Sequence, residues 1–408
     1  MFLSAGEASG DHYGAQLIDD LKLTNPDSSF FGLGGREMEA AGQHRIVRAE
    51  DVAHMGITEV IRHAPFIYSQ YRKLVSAIRR EKPSVAILID FPDVNFRLAK
   101  HLHRLGIPVV YLVSPQLWAW KRSRLQWVQE RVTKMLVIFP FEEPFYRNRG
   151  VDAEFIGHPL AALPKPSVAR EAYAAHYKLD PSKPWIALLP GSRWKEVTAN
   201  LPTMVQMASH IPYPCEYILP VASTIDRARL QEFVKGWITT STSAPLPYIH
   251  LVPDAREALF HARASVVASG TATVQAAVIG NPFVVVYRVS PLTFALARNL
   301  VKYPPEIPAD TDRYGNLPIA MVNLIAGRRI VPELLQQQFT PENLAAAIAP
   351  LLAETPDRRR MVEDLAQLRT QLLPDPTIQP IKRAAEIVAD LLTPPKLEAS
   401  QGVPDLNR

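Results

Sequence analysis

Two carboxylates follow apolar segments in the first quarter of the sequence, where they are placed to act on a substrate. Glu7 lies in Ser4–Asp11, SAGEASGD, between an apolar run and a helix-like segment, and Asp90 directly follows Val85–Ile89. Because the carboxyl ends of parallel strands border the crevice where ligands bind, an acid there can take a proton from a substrate hydroxyl. Asp90 is the better candidate for such a base, since it ends a strand. Helix capping is the alternative role for both acids.

Two strand-to-helix turns that follow residue 185 suit a nucleotide diphosphate. Leu188–Val197, LLPGSRWKEV, runs from an apolar segment into a Gly-Ser turn that contains Arg193, and Ala268–Thr273, ASGTAT, leads into a helix-like segment. Backbone N–H groups at a helix N-terminus and a guanidinium group both bind phosphate oxygens. The residues predicted to bind the nucleotide are therefore Arg193, Ser269, Gly270 and Thr271. Ordinary surface turns are the alternative.

These loops depend on apolar segments that alternate with helix-like ones along most of the chain. Each apolar segment is short and lacks polar alternation, as expected of strands buried on both faces of a parallel sheet. The first series is Met1–Ala5, Ser29–Leu33, Val85–Ile89, Val109–Val113, Met135–Phe139 and Ala153–Ile156. The second series is Trp185–Leu189, Cys215–Leu219, Tyr248–Val252, Ala264–Ala268 and Phe283–Tyr287. The pattern predicts an α/β protein with two doubly wound sheets.

The same pattern divides the chain into four parts. Residues 1–160 and 161–340 are predicted to form two α/β units with a cleft between them, joined by an extended Pro-rich linker, His158–Pro166. Residues 341–392 are predicted to be helical. Residues 393–408 form a polar, Pro-containing tail that is predicted to be disordered.

The composition excludes several classes of protein. The chain has 408 residues, of which 47% are apolar and 21% charged, as in ordinary globular proteins. A single cysteine, Cys215, excludes an internal disulfide and fits a reducing, cytoplasmic setting. No run approaches the roughly 20 apolar residues of a membrane-spanning helix, and the first residues lack the features of a signal peptide. The histidines lack the spacing of metal-binding motifs, so no bound metal is expected.

Positive charge is concentrated in one part of the chain. Residues 62–149 contain 16 Lys and Arg against 6 Asp and Glu, whereas the whole chain has 45 against 40. Such a surplus favours an anionic partner, whether nucleic acid, a membrane surface or a phosphorylated substrate. Because Arg62–Arg80 combines basic residues with an apolar stripe, Phe66, Ile67 and Tyr71 are predicted to contact an anionic membrane. Packing of the stripe in the core is the alternative.

The stretches that carry these features together resemble one family, the lipid-A-disaccharide synthases, which are bacterial glycosyltransferases with two Rossmann-like domains in the GT-B arrangement. The resemblance runs in the family's order over roughly residues 3–337. The matching stretches include SAGEASGD, FFGLGGREMEAAG, MGITEV, IDFPDVNFRLAK, VSPQLWAW, FPFEEPFY, FIGHPL, LLPGSR, ASGTATVQAAV and VNLIAGRRIVPELLQ. The combination of SAGEASGD, VSPQLWAW and LLPGSR is specific to this family.

The resemblance implies a reaction and a set of site residues. An inverting transfer would join UDP-2,3-diacylglucosamine to 2,3-diacylglucosamine 1-phosphate and give the lipid A disaccharide 1-phosphate and UDP, with no cofactor. Asp90 matches the family's proposed catalytic base, and Glu7 and Ser9 match residues near the reacting sugars. Arg193 matches the arginine that contacts the donor nucleotide. Asn323, in VNLIAG, matches an asparagine that the family needs.

The resemblance also implies the partners and the location. The partners are the UDP-sugar donor, the acylated glucosamine phosphate acceptor and an anionic membrane surface, with no nucleic acid. The protein is expected in the cytoplasm, attached peripherally to the cytoplasmic face of the inner membrane. The resemblance leaves undecided whether two chains form a homodimer by exchanging their C-terminal helices.

Two departures from the family pattern keep other functions open. Gln275, a predicted substrate-binding residue, stands where the family usually has Glu, an acid that commonly holds the ribose hydroxyls in two-domain sugar transferases. The Pro-rich stretch Tyr303–Ile319 is longer than the family's usual connection. The alternatives are another UDP-sugar enzyme of the same architecture, with a different acceptor or an epimerase activity, and a non-catalytic UDP-sugar-binding relative.

Overall fold

A seven-stranded parallel sheet organises the first part of the chain in the computed structural model, which describes residues 1–51, 64–240 and 247–392. Its strands are β1 (Phe2–Ala5), β2 (Phe30–Gly34), β3 (Gln43–Arg48), β4 (Ala86–Ile89), β5 (Val109–Leu112), β6 (Lys134–Val137) and β7 (Ala153–Phe155). Their order across the sheet is β3-β2-β1-β4-β5-β6-β7. Every residue of β1, β2, β4 and β5 is buried, which explains why these segments are almost continuously apolar.

Helices cover both faces of this first sheet and enclose a separate apolar core on each face. They are Ala8–Thr24, Arg36–Ala40, Ala64–Glu81, Pro92–Arg104, Leu125–Arg131 and Glu142–Arg147. One core includes Leu17 and Ile18 of the first helix, and the other includes Ile78 and Phe96 of two later helices. Adjacent residues of one strand, such as Phe2 and Leu3, contribute to opposite cores because successive side chains of a strand point to opposite faces.

A six-stranded parallel sheet organises the following part of the chain. Its strands are β8 (Trp185–Leu189), β9 (Glu216–Pro220), β10 (Ile249–Val252), β11 (Ala264–Ala268), β12 (Phe283–Tyr287) and β13 (Glu333–Leu335), in the order β10-β9-β8-β11-β12-β13. The accompanying helices are Pro159–Ala162, Arg170–Tyr177, Trp194–Gln206, Arg227–Thr240, Ala255–His261, Thr271–Ile279, Pro291–Leu300 and Met321–Ala326. The short helix Pro159–Ala162 corrects the prediction of a wholly extended linker. Pro159 is its first residue, where a missing N–H costs nothing.

The last three helices cover both parts of the molecule. They are Pro341–Leu352, Pro356–Leu372 and Pro380–Leu392, and Thr340 and Thr355 cap the first two by accepting hydrogen bonds from backbone N–H groups. The final helix returns to the first sheet, where Ile381 and Val388 join the core that contains Leu17. Arg383 also forms an ion pair with Glu154 at 2.9 Å. The tail over residues 393–408 lies outside the described residues.

The Pro-rich stretch Tyr303–Ile319 packs against the first sheet's helices and loops although it follows the second sheet's strand β12. Ile307 is buried in the core of the first sheet, and the rings of Tyr303 and Trp118 have centroids 5.9 Å apart. Glu306 forms an ion pair with Arg149 at 2.9 Å, which holds the pKa of the Glu306 carboxyl below its usual value. This stretch therefore connects the part of the molecule built on the second sheet to the part built on the first.

The predicted fold class is confirmed, and most predicted strands lie within one residue of their observed bounds. The sequence-based prediction missed β3 and β13. Strand β3, QHRIVR, is an edge strand with partly exposed residues, so its sequence lacks the continuous apolar run of a buried strand. Strand β13 spans only three residues. Such short or half-exposed edge strands are the ones that hydrophobic patterning recognises least well.

Candidate active site

Each sheet reverses its strand order at one place, and the predicted site loops lie at these two places. In the first sheet the order reverses between β1 and β4, the strands that lead to Glu7 and Asp90. In the second sheet it reverses between β8 and β11, the strands that lead to Arg193 and Gly270. Connections that leave in opposite directions open a crevice at the carboxyl ends of the strands, where open α/β sheets bind ligands. We call these two places the first and the second crevice.

Asp90 lies in the first crevice, directly after β4. Ala5 pairs with Ile89, so strands β1 and β4 end side by side. The backbones of Asp90 and Phe91 are both left-handed, with φ of 44° and 48°. Consecutive non-glycine residues in this region are strained, and such strain is concentrated at functional sites. The hydroxyl of Tyr111 donates a hydrogen bond to the Asp90 carbonyl oxygen at 2.6 Å, which helps to hold the turn.

Asn95 connects the ends of the two strands that form the first crevice. Its side chain is fully buried, and its amide nitrogen lies within hydrogen-bond distance of the carbonyl oxygens of Asp90 (2.7 Å), Ile89 (3.2 Å) and Ser4 (3.3 Å). The Ser4 hydroxyl donates to its Oδ1 at 2.6 Å. Sequence reasoning quoted this residue within IDFPDVN but assigned it no role, because nothing in the local sequence shows that its helix turns it toward β1.

The environment of Asp90 makes its carboxyl a stronger base than an ordinary aspartate. Burial, and after it the negative charge of Glu7, raise its pKa to about 6, against the opposing effect of a hydrogen bond from the Phe91 amide. A carboxylate with this pKa is ionised at neutral pH and still accepts a proton more readily than a solvated one. The first crevice thus holds a carboxylate suited to general-base work.

Gly6 leaves room for the ring of Phe91 beside this carboxylate. A Cβ atom at position 6 would lie 2.5 Å from two ring carbons of Phe91. Phe91 is also the residue that precedes the helix Pro92–Arg104 and takes the left-handed turn into it. A glycine is therefore required at position 6 because the loop that bears Asp90 packs closely against it. Its own backbone does not have a positive φ.

Besides Ser4, the SAGEASGD stretch contains three polar residues, and their environments differ. Glu7 and Ser9 are exposed at the rim of the first crevice, and Glu7 precedes the helix Ala8–Thr24 without capping it through its side chain. Asp11 is buried, and its carboxylate accepts hydrogen bonds from the backbone N–H groups of Gly35 at 2.7 Å and Met38 at 3.2 Å. Asp11 therefore caps the helix after β2. Glu7 and Ser9 have no such role and are available to a ligand because they are exposed.

The second crevice contains a helix N-terminus that presents backbone groups to solvent. Gly270 has φ of 155°, precedes the helix Thr271–Ile279 and has no heavy atom within 4 Å of the position a Cβ would occupy. Within the part of the chain that the structure describes, no side chain caps this helix. Gly270 and Thr271 are exposed, and Ser269 is half-buried. Free N–H groups together with the helix dipole make this terminus suited to an anion such as a diphosphate.

The turn that carries Arg193 is more closed than predicted. The Glu196 carboxylate accepts hydrogen bonds from the N–H groups of Ser192 at 3.1 Å and Arg193 at 3.3 Å, so these amides have a partner within the chain. Their expected role in binding a diphosphate is corrected accordingly. The Arg193 side chain itself is 75% exposed, with a single ion pair to Glu196 at 3.3 Å. Most of the N–H donors of its guanidinium group are therefore available to a ligand.

The two remaining predicted nucleotide-side residues differ sharply in burial. Gln275 is half-buried one turn into the helix Thr271–Ile279, and its side chain makes no hydrogen bond within the described residues. Asn323 is fully buried: its amide donates to Val331 O and to Glu333, and its Oδ1 accepts from the N–H groups of Ile330 and Val331. Asn323 therefore positions the segment that leads to β13 and, as placed here, does not face a ligand.

The predicted membrane stripe is divided between surface and core. In the helix Ala64–Glu81, Leu74 and Ile78 are buried in the first sheet's core, as the packing alternative expected. Phe66 is 41% exposed at the other end, and Ile67 and Tyr71 are half-buried. Only the N-terminal half of the stripe is therefore available to a membrane. Arg62 and the MGITEV stretch lie outside the described residues.

A buried carboxyl group holds two further loops of the first sheet, and sequence reasoning missed it. Glu142 follows β6, and its oxygens accept hydrogen bonds from the Trp118 indole at 3.1 Å and the Phe139 amide at 3.2 Å. Burial raises its pKa to about 8. Trp118 is thus a core aromatic, whereas Trp120 is 45% exposed with the Lys121 amine 4.1 Å from its ring centroid. The two tryptophans of the VSPQLWAW stretch therefore differ in environment, one in the core and one at the surface.

Two negative findings apply to the described residues. No group of three or more His, Cys, Asp or Glu side chains within residues 1–51, 64–240 and 247–392 is arranged to hold a metal ion. None of the helices in these ranges has both the length and the apolar character needed to cross a bilayer.

Comparison with known proteins identifies the family. The family model of lipid-A-disaccharide synthetase matches residues 1–388. The chain belongs to this family. Among its curated relatives, the lipid-A-disaccharide synthase of Acidobacterium capsulatum is 51% identical over 398 residues, which cover 96% of each chain. The resemblance stated from the motifs is therefore confirmed over nearly the whole chain, and so is the assignment to the glycosyltransferases.

Solved structures of other proteins share the fold of this lipid-A-disaccharide synthetase family member. The calicheamicin glycosyltransferase CalG4 aligns over 96% of both chains with a TM-score of 0.57 and 16% identity. The UDP-GlcNAc 2-epimerase from Neisseria meningitidis aligns over 96% of this chain and 98% of its own with a TM-score of 0.55 and 10% identity. Likeness at this level shows the two-domain GT-B fold alone, because one fold hosts different reactions.

Proposed function

We propose that the chain transfers a 2,3-diacylglucosamine unit from UDP to the 6-hydroxyl of 2,3-diacylglucosamine 1-phosphate, with inversion at the donor carbon. One observation carries the proposal: the two crevices have complementary chemistry, with a basic carboxylate at Asp90 and an anion-binding helix N-terminus at Gly270. Sugar transfer needs a base for the attacking hydroxyl and a site for the departing diphosphate. Sequence membership in the lipid-A-disaccharide synthetase family selects the substrates.

The first crevice serves the acceptor in this proposal. The Asp90 carboxylate removes the proton of the acceptor hydroxyl as its oxygen attacks the donor carbon from the face opposite UDP. Glu7 raises the pKa of Asp90 and, with Ser9, is exposed at the rim, where both can hydrogen-bond sugar hydroxyls. Asn95 acts as a positioning residue that keeps the Asp90 turn in place. We assign residues 1–160 to this acceptor side.

The second crevice serves the donor. The N-terminus of the helix Thr271–Ile279, with Ser269 and Gly270, accommodates the diphosphate, and the exposed Arg193 neutralises the charge that UDP gains as it leaves. Gln275 is placed one helical turn further on and hydrogen-bonds the ribose hydroxyls. Asn323 supports this side indirectly, by positioning the segment before β13. We assign residues 161–340 to the donor side.

The proposed substrates are lipids, so the protein must work at a membrane surface. The exposed Phe66 and the half-buried Ile67 and Tyr71 lie on a helix within the basic part of the chain. Basic residues near an anionic surface add about 1 kcal/mol each, and salt screens this attraction. We propose peripheral attachment at the cytoplasmic face of the inner membrane through this surface.

A single assay tests the reaction. Purified protein is incubated with the diacylated donor and acceptor, and the disaccharide 1-phosphate and UDP are measured by mass spectrometry. We expect one UDP for each disaccharide and much slower turnover of UDP-N-acetylglucosamine, which has neither of the two long acyl chains. Equal turnover of the unacylated donor, or its conversion to a 2-epimer, would favour the other UDP-sugar enzymes. Binding of UDP without any turnover would favour the non-catalytic relative.

A triple substitution tests the membrane surface. Replacing Phe66, Ile67 and Tyr71 with Ser should abolish flotation with anionic vesicles and leave the melting temperature nearly unchanged. The matched control replaces Leu23 and Leu105 with Ser. These two leucines are exposed elsewhere on the first sheet's helices and loops, so this variant should still float with the vesicles. A large fall in melting temperature of the triple variant would place these side chains in the core and remove the apolar part of the proposal.

A further inference from the structure

A basic groove of about 450 Å³ lies on the surface of the first sheet's helical layer. The helices Ala64–Glu81, Pro92–Arg104 and Leu125–Arg131 form its walls. Asp93 is the one carboxylate among its lining residues, all of which belong to the described part of the chain. The basic side chains that line it are Arg97, Lys100, His101, Arg104, Arg124 and Arg131. So many cations around one concave surface favour binding of an anion.

Among the described residues, two of the groove's Arg and Lys side chains have a carboxylate partner, and one of these is Arg131, which pairs with Glu130 at 3.5 Å. Asp93 pairs with Arg124 at 2.8 Å, at the end of the groove nearest Asp90 in sequence. Within the described residues, no carboxylate lies within 4 Å of Arg97, Lys100 or Arg104, all on the helix Pro92–Arg104. The surroundings also lower the pKa of His101, through burial first and then through the positive charges of Arg79, Arg104 and Lys100. Like charges held together in this way cost stability unless an anion joins them.

Aromatic side chains hold the guanidinium groups of the groove. Trp127 lies between Arg124 and Arg131, whose guanidinium carbons are 5.5 and 5.2 Å from its ring centroid. Arg131 also donates to the Phe96 carbonyl oxygen at 3.4 Å. Its side chain is 14% exposed and that of Arg124 is 20% exposed. These guanidinium groups are therefore ordered before any ligand arrives, which lowers the entropy lost on binding.

The groove is lined by the start of the helix that follows Asp90 and by one residue of the proposed membrane helix. One end begins at Pro92, two residues after Asp90. The other wall includes Tyr71, whose ring lies 6.1 Å from that of His101 and 6.5 Å from that of the exposed Tyr68. A ligand bound here meets basic side chains and the ring of Tyr71, which suits an anionic head attached to apolar chains.

We propose that this groove is a binding site for the phosphate group of a lipid. Arg97 and Lys100 supply free cationic donors, and Arg124 and Arg131 supply ordered guanidinium groups for the phosphate oxygens. Two sources provide this chemistry: the 1-phosphate of the acylated acceptor, which rests on the proposed function, and the headgroup of an anionic phospholipid, which does not.

The test uses the Arg97→Gln, Lys100→Gln double variant of the full chain. The matched control is Arg80→Gln, Lys82→Gln, which removes the same charge from exposed positions at the end of the helix Ala64–Glu81, outside the groove. For each protein, KM values for acceptor and donor are measured in detergent micelles, with the phosphorylated acceptor and with the same acceptor lacking its 1-phosphate. Flotation with phosphatidylcholine vesicles that contain phosphatidic acid is measured separately.

If the groove binds the acceptor phosphate, the groove variant raises the KM of the phosphorylated acceptor by about tenfold or more, the loss expected for a charge-assisted hydrogen bond. The KM of the acceptor without phosphate, the donor KM and kcat stay close to wild type. If the groove binds a phospholipid headgroup, flotation weakens by a similar factor while the KM values in micelles stay unchanged. Either result supports a lipid-phosphate site and identifies its source.

The proposal is overturned if the groove variant behaves like the control in both measurements. It is also overturned if the KM of the two acceptors rises equally and flotation is unchanged, because the effect is then independent of phosphate. A wild-type protein that forms no disaccharide refutes the proposed function alone, and the flotation measurement then decides the groove.

Discussion

The two crevices share one topology and have opposite chemistry. In both, a strand-order reversal places two loops side by side at the carboxyl ends of parallel strands. The first crevice holds a largely buried carboxylate, Asp90, next to a second acid, Glu7. The second presents an uncapped helix N-terminus at Gly270 and an exposed guanidinium group, Arg193. The fold thus supplies the place for a ligand, and the loop residues decide whether that place removes a proton or binds an anion.

The largest expected effect comes from neutralising the first crevice. Asp90→Asn keeps the shape of the side chain and removes the base, so kcat should fall by roughly 10² or more. The affinity for UDP, measured by calorimetry, should stay within error of wild type because UDP binds in the second crevice. The control Asp152→Asn changes an exposed carboxylate that pairs with Lys134 and should leave kcat unchanged. Near-normal turnover of Asp90→Asn would remove Asp90 from the role of base.

The same substitution should stabilise the fold. Because the pKa of Asp90 is raised to about 6 in the folded chain, the folded state binds this proton more tightly than the unfolded state. The stability from this group is therefore present at low pH and lost as pH rises from about 4 through 6. Asp90→Asn removes that loss and should raise the free energy of unfolding at pH 7.5 by about 1–2 kcal/mol. Urea unfolding at pH 4 and 7.5 checks this: an equal effect at both pH values would contradict it.

The second crevice should be sensitive to one end of one helix. Gly270→Ala and Gly280→Ala both put a side chain at a glycine of positive φ, and in both cases no atom lies within 4 Å of the new Cβ. Each should cost about 1–3 kcal/mol of stability through backbone strain. Only Gly270→Ala, at the N-terminus of the helix, should weaken UDP binding, by about tenfold. Equal UDP affinities of the two variants would argue against this terminus as the diphosphate site.

Glu7 allows the electrostatics of the first crevice to be adjusted without removing the base. Glu7→Gln removes a negative charge that raises the pKa of Asp90, so that pKa should fall toward its ordinary value. The acid limb of the kcat/KM profile should move to lower pH, and activity at pH 5.5 relative to pH 8 should rise by a factor of about two to three. A parallel decrease at every pH, with the limb unmoved, would show that Glu7 acts only by contacting substrate.

The smallest expected effect concerns Gln275 in the second crevice. Gln275→Glu introduces a carboxylate that accepts stronger hydrogen bonds from ribose hydroxyls than a neutral amide does. The KM for the UDP-sugar should fall by a few-fold while kcat stays unchanged. If the wild-type chain is inactive and only the Glu variant turns over, the non-catalytic alternative gains support.

The sequence by itself determined the strands that are buried on both faces and the loops that follow them. A strand buried on both faces must be continuously apolar, so its end is visible in the sequence, and the acid or glycine that follows it can be assigned to the ligand edge of the sheet. Asp90, Glu7 and Gly270 were found for this reason. Arg193 was found in the same way, in the turn after β8, and the family motifs added Ser9, whose side chain is exposed.

Only the tertiary structure decided which residues hold those loops and which surfaces stay open. Asn95 and Asp11 bind backbone groups of other elements, and Asn323 is enclosed by the segment that leads to β13. The helix Ala64–Glu81 shows one amphipathic pattern along its length, yet Leu74 and Ile78 are buried whereas Phe66 is exposed. A local pattern records that a side chain is apolar or polar. Its partner is set by chain segments distant in sequence, which are specified only when the whole fold has formed.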